Sequence, residues 1–401
     1  MDKIDEVLTR GVERIYPSKA ALEKVLRSGK KIRLYQGFDP SMPNLHLGNM
    51  VGILKLKQFQ ELGHEVIFLV GDFTGMIGDP TDKSAARRLL TRKQVLINAK
   101  NWRQQASRFL KFSGKNPAKF LFNSHWLDKI SFKDLIKITS HFTAQQILER
   151  DFFQKRMKEE RPIFLHEFLY PVAQGYDSVA MDIDLEIGGS DQMFNMLAGR
   201  TLMKTIKGKE KFVMTTKLLV DAQGEKVGKT AGNALFLNVK PTDMYGGIMS
   251  FPDEVIILAF ELLTTVPVRL IESHKQAKKA NPMDLKKELA FEIVKLYHGP
   301  NKAEKAQTQF ETVFQKRKTP KAIPKIKINL PAGKAGSGKY NTVDLLMKTG
   351  LCSSRSEAKR LIKQKAVEID KLLITNHQSL ITIKNGMIIR VGKRRFVKIC
   401  F

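Results

Sequence analysis

The first recognisable order in the chain is a switch between two hydrophobic periods. Residues 31–38 close on a short apolar run, and residues 65–71 form a continuous one bounded by Gly63 and Gly71, as a strand buried on both faces of a parallel sheet requires. Between them, residues 50–62 carry apolar side chains at helical spacing. Strand, helix and strand make a βαβ unit. Its crossover is right-handed, so the turn before the helix and the segment after Gly71 should meet at the carboxyl ends of neighbouring strands, where such sheets bind ligands. Further strands are predicted at 119–123 and 182–187, and helices at 90–110, 132–154 and 196–205. The N-terminal residues 2–28 read as amphipathic helix interrupted at Pro17 and Ser18. Beyond Leu237 the pattern becomes helical, over 252–264, 282–296 and 301–314, so the chain is an α/β protein with a helical region after its sheet.

Charge narrows the partners. The 401 residues carry a formal net charge of +29, which points to a polyanion, nucleic acid first. With two cysteines, Cys352 and Cys400, and no CxxC pair, neither a disulfide framework nor a structural zinc site is indicated, and a reducing compartment fits. The N-terminus lacks an apolar signal core, and no apolar run reaches the length of a membrane span, so the expectation is a cytoplasmic protein without membrane attachment.

The chemistry-bearing residues cluster at the predicted strand ends. Tyr35, Gly37, Asp39, Pro40, Pro43, His46, Gly48 and Asn49 form a strand-to-helix turn, and a helix beginning near Leu45 would aim its free N–H groups and positive dipole end at an anion such as phosphate. After the second strand, Thr74, Gly75, Gly78 and Asp79 lead to Lys83 and Arg87, two cations one helical turn apart. Tyr170, Gln174 and Asp177 fall at i, i+4 and i+7, on one face of a helix, and three polar tips there call for a shared polar ligand. Gly188, Gly189, Asp191 and Gln192 make a turn that can admit a ribose close to backbone. Lys226, Gly228, Lys229 and Thr230 form a cationic loop downstream.

In this order these blocks resemble the class I aminoacyl-tRNA synthetases. His46-Leu-Gly-Asn49 is similar to their HIGH signature, the Tyr-x-Gly-Phe-Asp-Pro run from Tyr35 to its tyrosyl-tRNA synthetase form, and Lys226-Val-Gly-Lys229-Thr230 to the KMSKS loop. The resemblance implies a Rossmann-like catalytic domain over 1–235, with an insertion near 90–160 that forms much of a homodimer interface, and an α-helical anticodon-side domain over 236–318. It also implies roles. Asp79, Tyr170 and Gln174 would hold the amino end of tyrosine with help from Thr74 and Gln192, and Tyr35 with Asp177 its phenol hydroxyl. Gly37, Asp39, His46, Gly48, Gly189, Asp191, Lys226 and Lys229 would bind ATP, and His46, Asn49, Lys226, Lys229, Thr230, Lys83 and Arg87 would hold the phosphates during catalysis. Mg²⁺ would arrive with ATP and need no dedicated protein site. Asn49 departs from the family, standing where the signature has its second His.

Residues 319–339 are rich in Lys and interrupted by Pro320 and Pro324, as a basic linker would be. The run from Gly333 to Tyr340 mimics a P-loop, but Tyr340 occupies the place where Mg²⁺ needs a Ser or Thr hydroxyl, and it reads as linker. Residues 340–401 resemble an S4 RNA-binding domain: two short helices, strands at 367–370 and 387–391, and cations Arg355, Lys359, Arg360, Lys363, Lys393, Arg394 and Arg395 suited to the phosphates and shape of folded RNA. The expected activity is joining L-tyrosine to tRNA(Tyr) through an adenylate. The alternatives are the tryptophanyl-tRNA synthetases, which share the core, and a non-catalytic S4-type RNA-binding protein.

Overall fold

The computed structural model describes residues 2–80, 89–221, 223–224, 226, 235–276, 281–312, 323–328, 338–370, 372–392 and 395–401. Lys83, Arg87, Lys229, Thr230, Lys393 and Arg394 lie outside the described residues. Two compact units divide the chain, residues 1–307 and 308–401.

The first unit is built on a six-stranded sheet. In chain order its strands are β1 (Val12–Tyr16), β2 (Arg33–Phe38), β3 (Glu65–Val70), β4 (Lys119–Phe122), β5 (Leu185–Gly189) and β6 (Phe212–Thr216), and their spatial order is β1-β6-β5-β2-β3-β4. All neighbours pair in parallel except β1, which runs antiparallel to β6 along the edge. From β2 the chain moves outward to β3 and β4, then returns to the other side of β2 for β5 and β6. The crevice between β2 and β5 is therefore a topological switch point, the place where an open α/β sheet receives a ligand. The interior of β3 is apolar and buried throughout Val66–Val70, as a strand covered on both faces requires.

Several elements differ from their sequence-based expectations. The helix expected over 2–28 is helix Lys3–Thr9, then β1, then helix Lys19–Arg27. Gly11, with φ of +63°, ends the first helix, and the β-branched and aromatic residues Val12, Ile15 and Tyr16 satisfy the free edge of β6. The region expected as two long helices is broken into Arg92–Ala99, Trp102–Ala106, Phe132–Thr139, Ala144–Leu148 and Asp151–Lys158. Side chains of Thr91, Ser131 and Thr143 accept from backbone N–H groups and start three of these segments anew. Helices Pro241–Ile248 and Val268–Gln276 join those expected after Leu237, which run over Ile256–Leu263, Pro282–His298 and Pro300–Phe310.

In the second unit, helices Thr342–Lys348 and Arg355–Lys363 accompany a five-stranded sheet. Its strands are β7 (Lys325–Lys327), β9 (Val367–Ile369), β10 (Leu372–Leu373), β12 (Ile388–Val391) and β13 (Arg395–Cys400), while β8 (Gly338–Asn341) pairs with β11 (Leu380–Ile383). Val343, Leu346, Ile362, Ile389 and Ile399 fill one core. Two pieces of the stretch expected to be linker are thus ordered strands: β7 lies parallel to β13, and β8 opens the first helix.

Two buried cations tie the first unit's helices together. Arg10 donates to the carbonyls of Phe260, Glu261, Thr264 and Val266, covering the C-terminal end of helix Ile256–Leu263. Lys55, on helix Leu47–Glu61, donates to the carbonyls of Val7 and Arg10 at the end of the N-terminal helix, at 3.0 and 2.7 Å. Burial, reinforced by Arg10, lowers the Lys55 ammonium to about 7. The unfolded chain, with an ordinary lysine pKa near ~10.4, binds more protons than the folded one between these values, so this residue makes stability rise with pH above 7. The expected slope is at most about 1.4 kcal/mol per pH unit. Urea unfolding between pH 7 and 9.5 should show it in the wild type and a flatter dependence in Lys55→Met.

Candidate active site

Helix Leu47–Glu61 begins where β2 ends. His46 is its N-cap, buried, and the Asn49 side-chain carbonyl accepts from the His46 backbone N–H at 3.0 Å. Asn49 therefore closes the first turn of the helix. Gly48 lies within that turn, and Gly37 lies near the end of β2.

The far downstream loop returns to this turn. The backbone of Leu47 donates to Leu235 and that of Leu237 to Leu45, at 3.1 and 2.8 Å, with an antiparallel bridge between His46 and Phe236. At the other side of the loop, the Lys226 ammonium sits 2.6 Å from Asp191. Asp191 follows β5 directly, in the short turn Ser190–Gln192 that leads into helix Met193–Lys207, and Gly189 is the last residue of β5. The turn at His46 and Lys226, about 180 residues apart in sequence, are thus each tied to the same end of the sheet, the first through residues 235–237 and the second through Asp191.

Beside them lies a buried polar network on helix Leu165–Met181. Tyr170, Gln174 and Asp177 do share one face. The Tyr170 hydroxyl donates to Asp39 at 2.8 Å, and the other Asp39 oxygen accepts from Thr74 at 2.7 Å. A Cβ on Gly71 would lie 1.9 Å from that Asp39 oxygen and 2.3 Å from the Thr74 hydroxyl, so only glycine leaves room for the pair. Asp177 accepts from the Trp126 indole at 2.7 Å and from the Asn123 amide at 3.2 Å. Gln192 donates to Asp79 at 2.6 Å and accepts from Asn195. Tyr35 is wholly buried, and its hydroxyl lies 3.3 Å from Ser178 Oγ and 3.5 Å from the Gln174 carbonyl. Beneath it, Gln174 donates to Glu186, which is paired with Lys211.

Burial dominates the electrostatics. It drives the Asp177 carboxyl well above its ordinary range; the Trp126 and Asn123 donors oppose that shift, and the Glu186 and Asp39 carboxylates add to it. The Tyr35 and Tyr170 phenols are pushed well above theirs by burial first and by neighbouring carboxylates second, so both serve as neutral hydroxyls. Arg150 is buried over the rings of Phe152 and Phe194, at 4.4 and 5.0 Å, and feels the charges of Asp79 and Asp191.

The sequence reading missed Asn123, Trp126, Arg150, Ser178, Glu186 and Lys211. One signal was available: Glu186 is an acid inside an otherwise apolar buried strand, which obliges a partner elsewhere. In the second unit, Lys359, Arg360 and Lys363 are exposed on their helix, whereas Arg355 pairs with Asp344, and Arg395 with Glu357 and the Leu351 carbonyl.

Comparison with known proteins places the chain in a family. The profile of the tRNA synthetases class I (W and Y) matches residues 27–315, and that of the S4 domain residues 343–381. A tyrosine–tRNA ligase of Thermotoga maritima is 42% identical over 398 residues, covering 98% of this chain and 96% of its own. One from Aquifex aeolicus is 40% identical over 396 residues, covering 98% and 97%. Among solved structures, a C-terminally truncated mitochondrial tyrosyl-tRNA synthetase of Coccidioides posadasii superposes with a TM-score of 0.63 at 25% identity, covering 77% of this chain and 91% of that one.

Removing the indole donor should expose how far Asp177 depends on it. Trp126→Phe keeps an aromatic ring but leaves a buried carboxylate oxygen without that bond, at an expected cost of about 1–3 kcal/mol. Urea unfolding measures it; an unchanged midpoint would mean that the indole contributes nothing.

Proposed function

Because the chain belongs to the class I tRNA synthetases of the tryptophan and tyrosine family and is a tyrosine–tRNA ligase with an S4 domain, we propose the following division of labour among its residues. Tyrosine lies along helix Leu165–Met181 with its phenol toward Tyr35 and Asp177 and its ammonium toward Asp79, Tyr170 and Gln174. Thr74 and Gln192 orient those groups. ATP spans the sheet's switch point, its ribose at Gly189 and Asp191 and its phosphates toward His46, with Gly37, Asp39 and Gly48 completing the nucleotide site.

The tyrosine carboxylate is already ionised, so its attack on the α-phosphate needs no strong base. Rate comes from alignment and from neutralising charge as pyrophosphate departs. His46, Lys226, Lys229 and Thr230 supply donors and positive charge there, Lys83 and Arg87 close over the leaving group, and Asn49 contributes a neutral donor. Mg²⁺ bound to the ATP phosphates screens their charge; among the described residues no group of acids, histidines or cysteines is placed to hold a metal. The tyrosyl group then passes to the terminal ribose of tRNA(Tyr). The observation that carries this reading is the backbone pairing of residues 45–47 with 235–237 beside the Lys226–Asp191 contact.

We assign Lys359, Arg360 and Lys363 to the tRNA backbone, with Arg355, Lys393, Arg394 and Arg395 beside them, and the enzyme to the cytoplasm, where tRNA is charged. No helix among the described residues is long and apolar enough to cross a membrane. We also assign a homodimer to the face that backs the tyrosine helix. There an apolar groove is lined by Phe73, Ile77, Leu127, Phe132, Leu135 and Tyr176, and Phe132 and Leu165 are 78% and 80% exposed.

The two half-reactions separate these roles. His46→Ala and Lys229→Ala should lower tyrosine-dependent ATP–pyrophosphate exchange by more than about a hundred-fold while leaving tyrosine affinity in equilibrium dialysis nearly unchanged; equal losses would remove both residues from the phosphate site. Lys359→Glu with Arg360→Glu should keep exchange and lower tRNA charging. Phe132→Asp should turn a dimer into monomers by sedimentation equilibrium, and a wild type that sediments as a monomer contradicts the assignment.

A further inference from the structure

Under the proposed tyrosine site lies an ion pair that the reaction itself does not use. Lys211, on the loop entering β6, and Glu186, within β5, are both fully buried and in direct contact. Lys211 also donates to Ser178 at 2.8 Å, and Glu186 accepts from the Gln174 side-chain amide at 3.0 Å. The site is built around the pair: a Cβ on Gly199 would lie 2.4 Å from the Lys211 ammonium and 2.9 Å from Ser178, so helix Met193–Lys207 carries no side chain where it passes over the charge.

Stability does not account for it. Two ions taken from water gain from each other little more than they lose, and an apolar pair of the same volume holds a core together as well or better. What the pair does have is direction. A carboxylate only accepts, so it can meet only the NH₂ end of Gln174, and this fixes the amide with its carbonyl oxygen facing away from Glu186. A neutral acid or amide in its place could donate as readily as accept, and would leave both amide orientations open. Lys211 and the Gln174 amide both donate to the Glu186 carboxylate.

We infer that the buried Lys211–Glu186 pair is a positioning device for substrate recognition, which locks the Gln174 amide with its oxygen presented to the ammonium group of tyrosine. The inference rests on the assignment of Gln174 to that ammonium. Glu186 touches no substrate; it selects for an α-amino group through Gln174, and the same pair steadies Ser178 under the Tyr35 hydroxyl.

Equilibrium dialysis of the full chain with L-tyrosine and with 3-(4-hydroxyphenyl)propionate, which has the phenol and carboxylate but no ammonium, tests this. Gln174→Ala and Glu186→Gln should each weaken tyrosine binding about ten-fold and leave binding of the propionate unchanged. Glu186→Gln strands Lys211 and can unfold the core, so the neutral double variant Glu186→Gln, Lys211→Met is measured beside it, with a thermal melt. It should fold and still show the selective loss. Wild-type binding in the double variant, or equal weakening of both ligands, makes the pair purely structural and overturns the inference. A selective Gln174→Ala with an unselective Glu186→Gln defeats this inference alone, whereas an unselective Gln174→Ala defeats the assignment of Gln174 together with it.

Discussion

Carboxylates taken out of water must be given donors, and that requirement shapes the centre of this protein. Asp39 and Asp79 follow β2 and β3, Glu186 lies within β5 and Asp177 on helix Leu165–Met181, and each is met by a specific donor: Thr74 and Tyr170, Gln192, Gln174 and Lys211, Trp126 and Asn123. Most of these partners are neutral. Neutral donors hold a buried carboxyl in place without placing a second charge beside it. Lys211, a fully buried cation, lies on the side of Glu186 that no substrate reaches in the proposed arrangement.

The nucleotide side follows a different logic. There the backbone carries the architecture, because residues 45–47 and 235–237 exchange main-chain hydrogen bonds that depend on no particular side chain. In the proposed arrangement the side chains around that tie meet phosphate. Asn49 shows how the two demands combine: its carbonyl oxygen completes the helix's first turn, which leaves the NH₂ end as the donor. A histidine at this position could offer a positive charge; an asparagine offers orientation only.

Local signals were legible in the sequence and distant ones were not. The run Val66–Val70, the turn ending at His46 and the spacing of Tyr170, Gln174 and Asp177 each depend on neighbours within two helical turns, and each stands where expected. β1 was read as helix because its strand character depends on pairing with β6, two hundred residues away. Asn123 and Trp126 carry no motif; they matter because β4 ends beside Asp177, which is a fact of sheet order and not of spacing. The broken helices between residues 92 and 158 mark the same limit, since apolar periodicity runs on through positions where capping side chains restart the chain.

The proposed tyrosine site reads polar ends rather than ring size. Its most direct test is the affinity of the intact protein for tyrosine against phenylalanine, measured by equilibrium dialysis at neutral pH. Phenylalanine fills the same space but brings no hydroxyl to Asp177 and Tyr35, so it should bind at least about a hundred-fold more weakly. Phenylalanine bound within a few-fold of tyrosine would contradict the claim that buried carboxylates and hydroxyls, held ready by their donors, decide what this enzyme accepts.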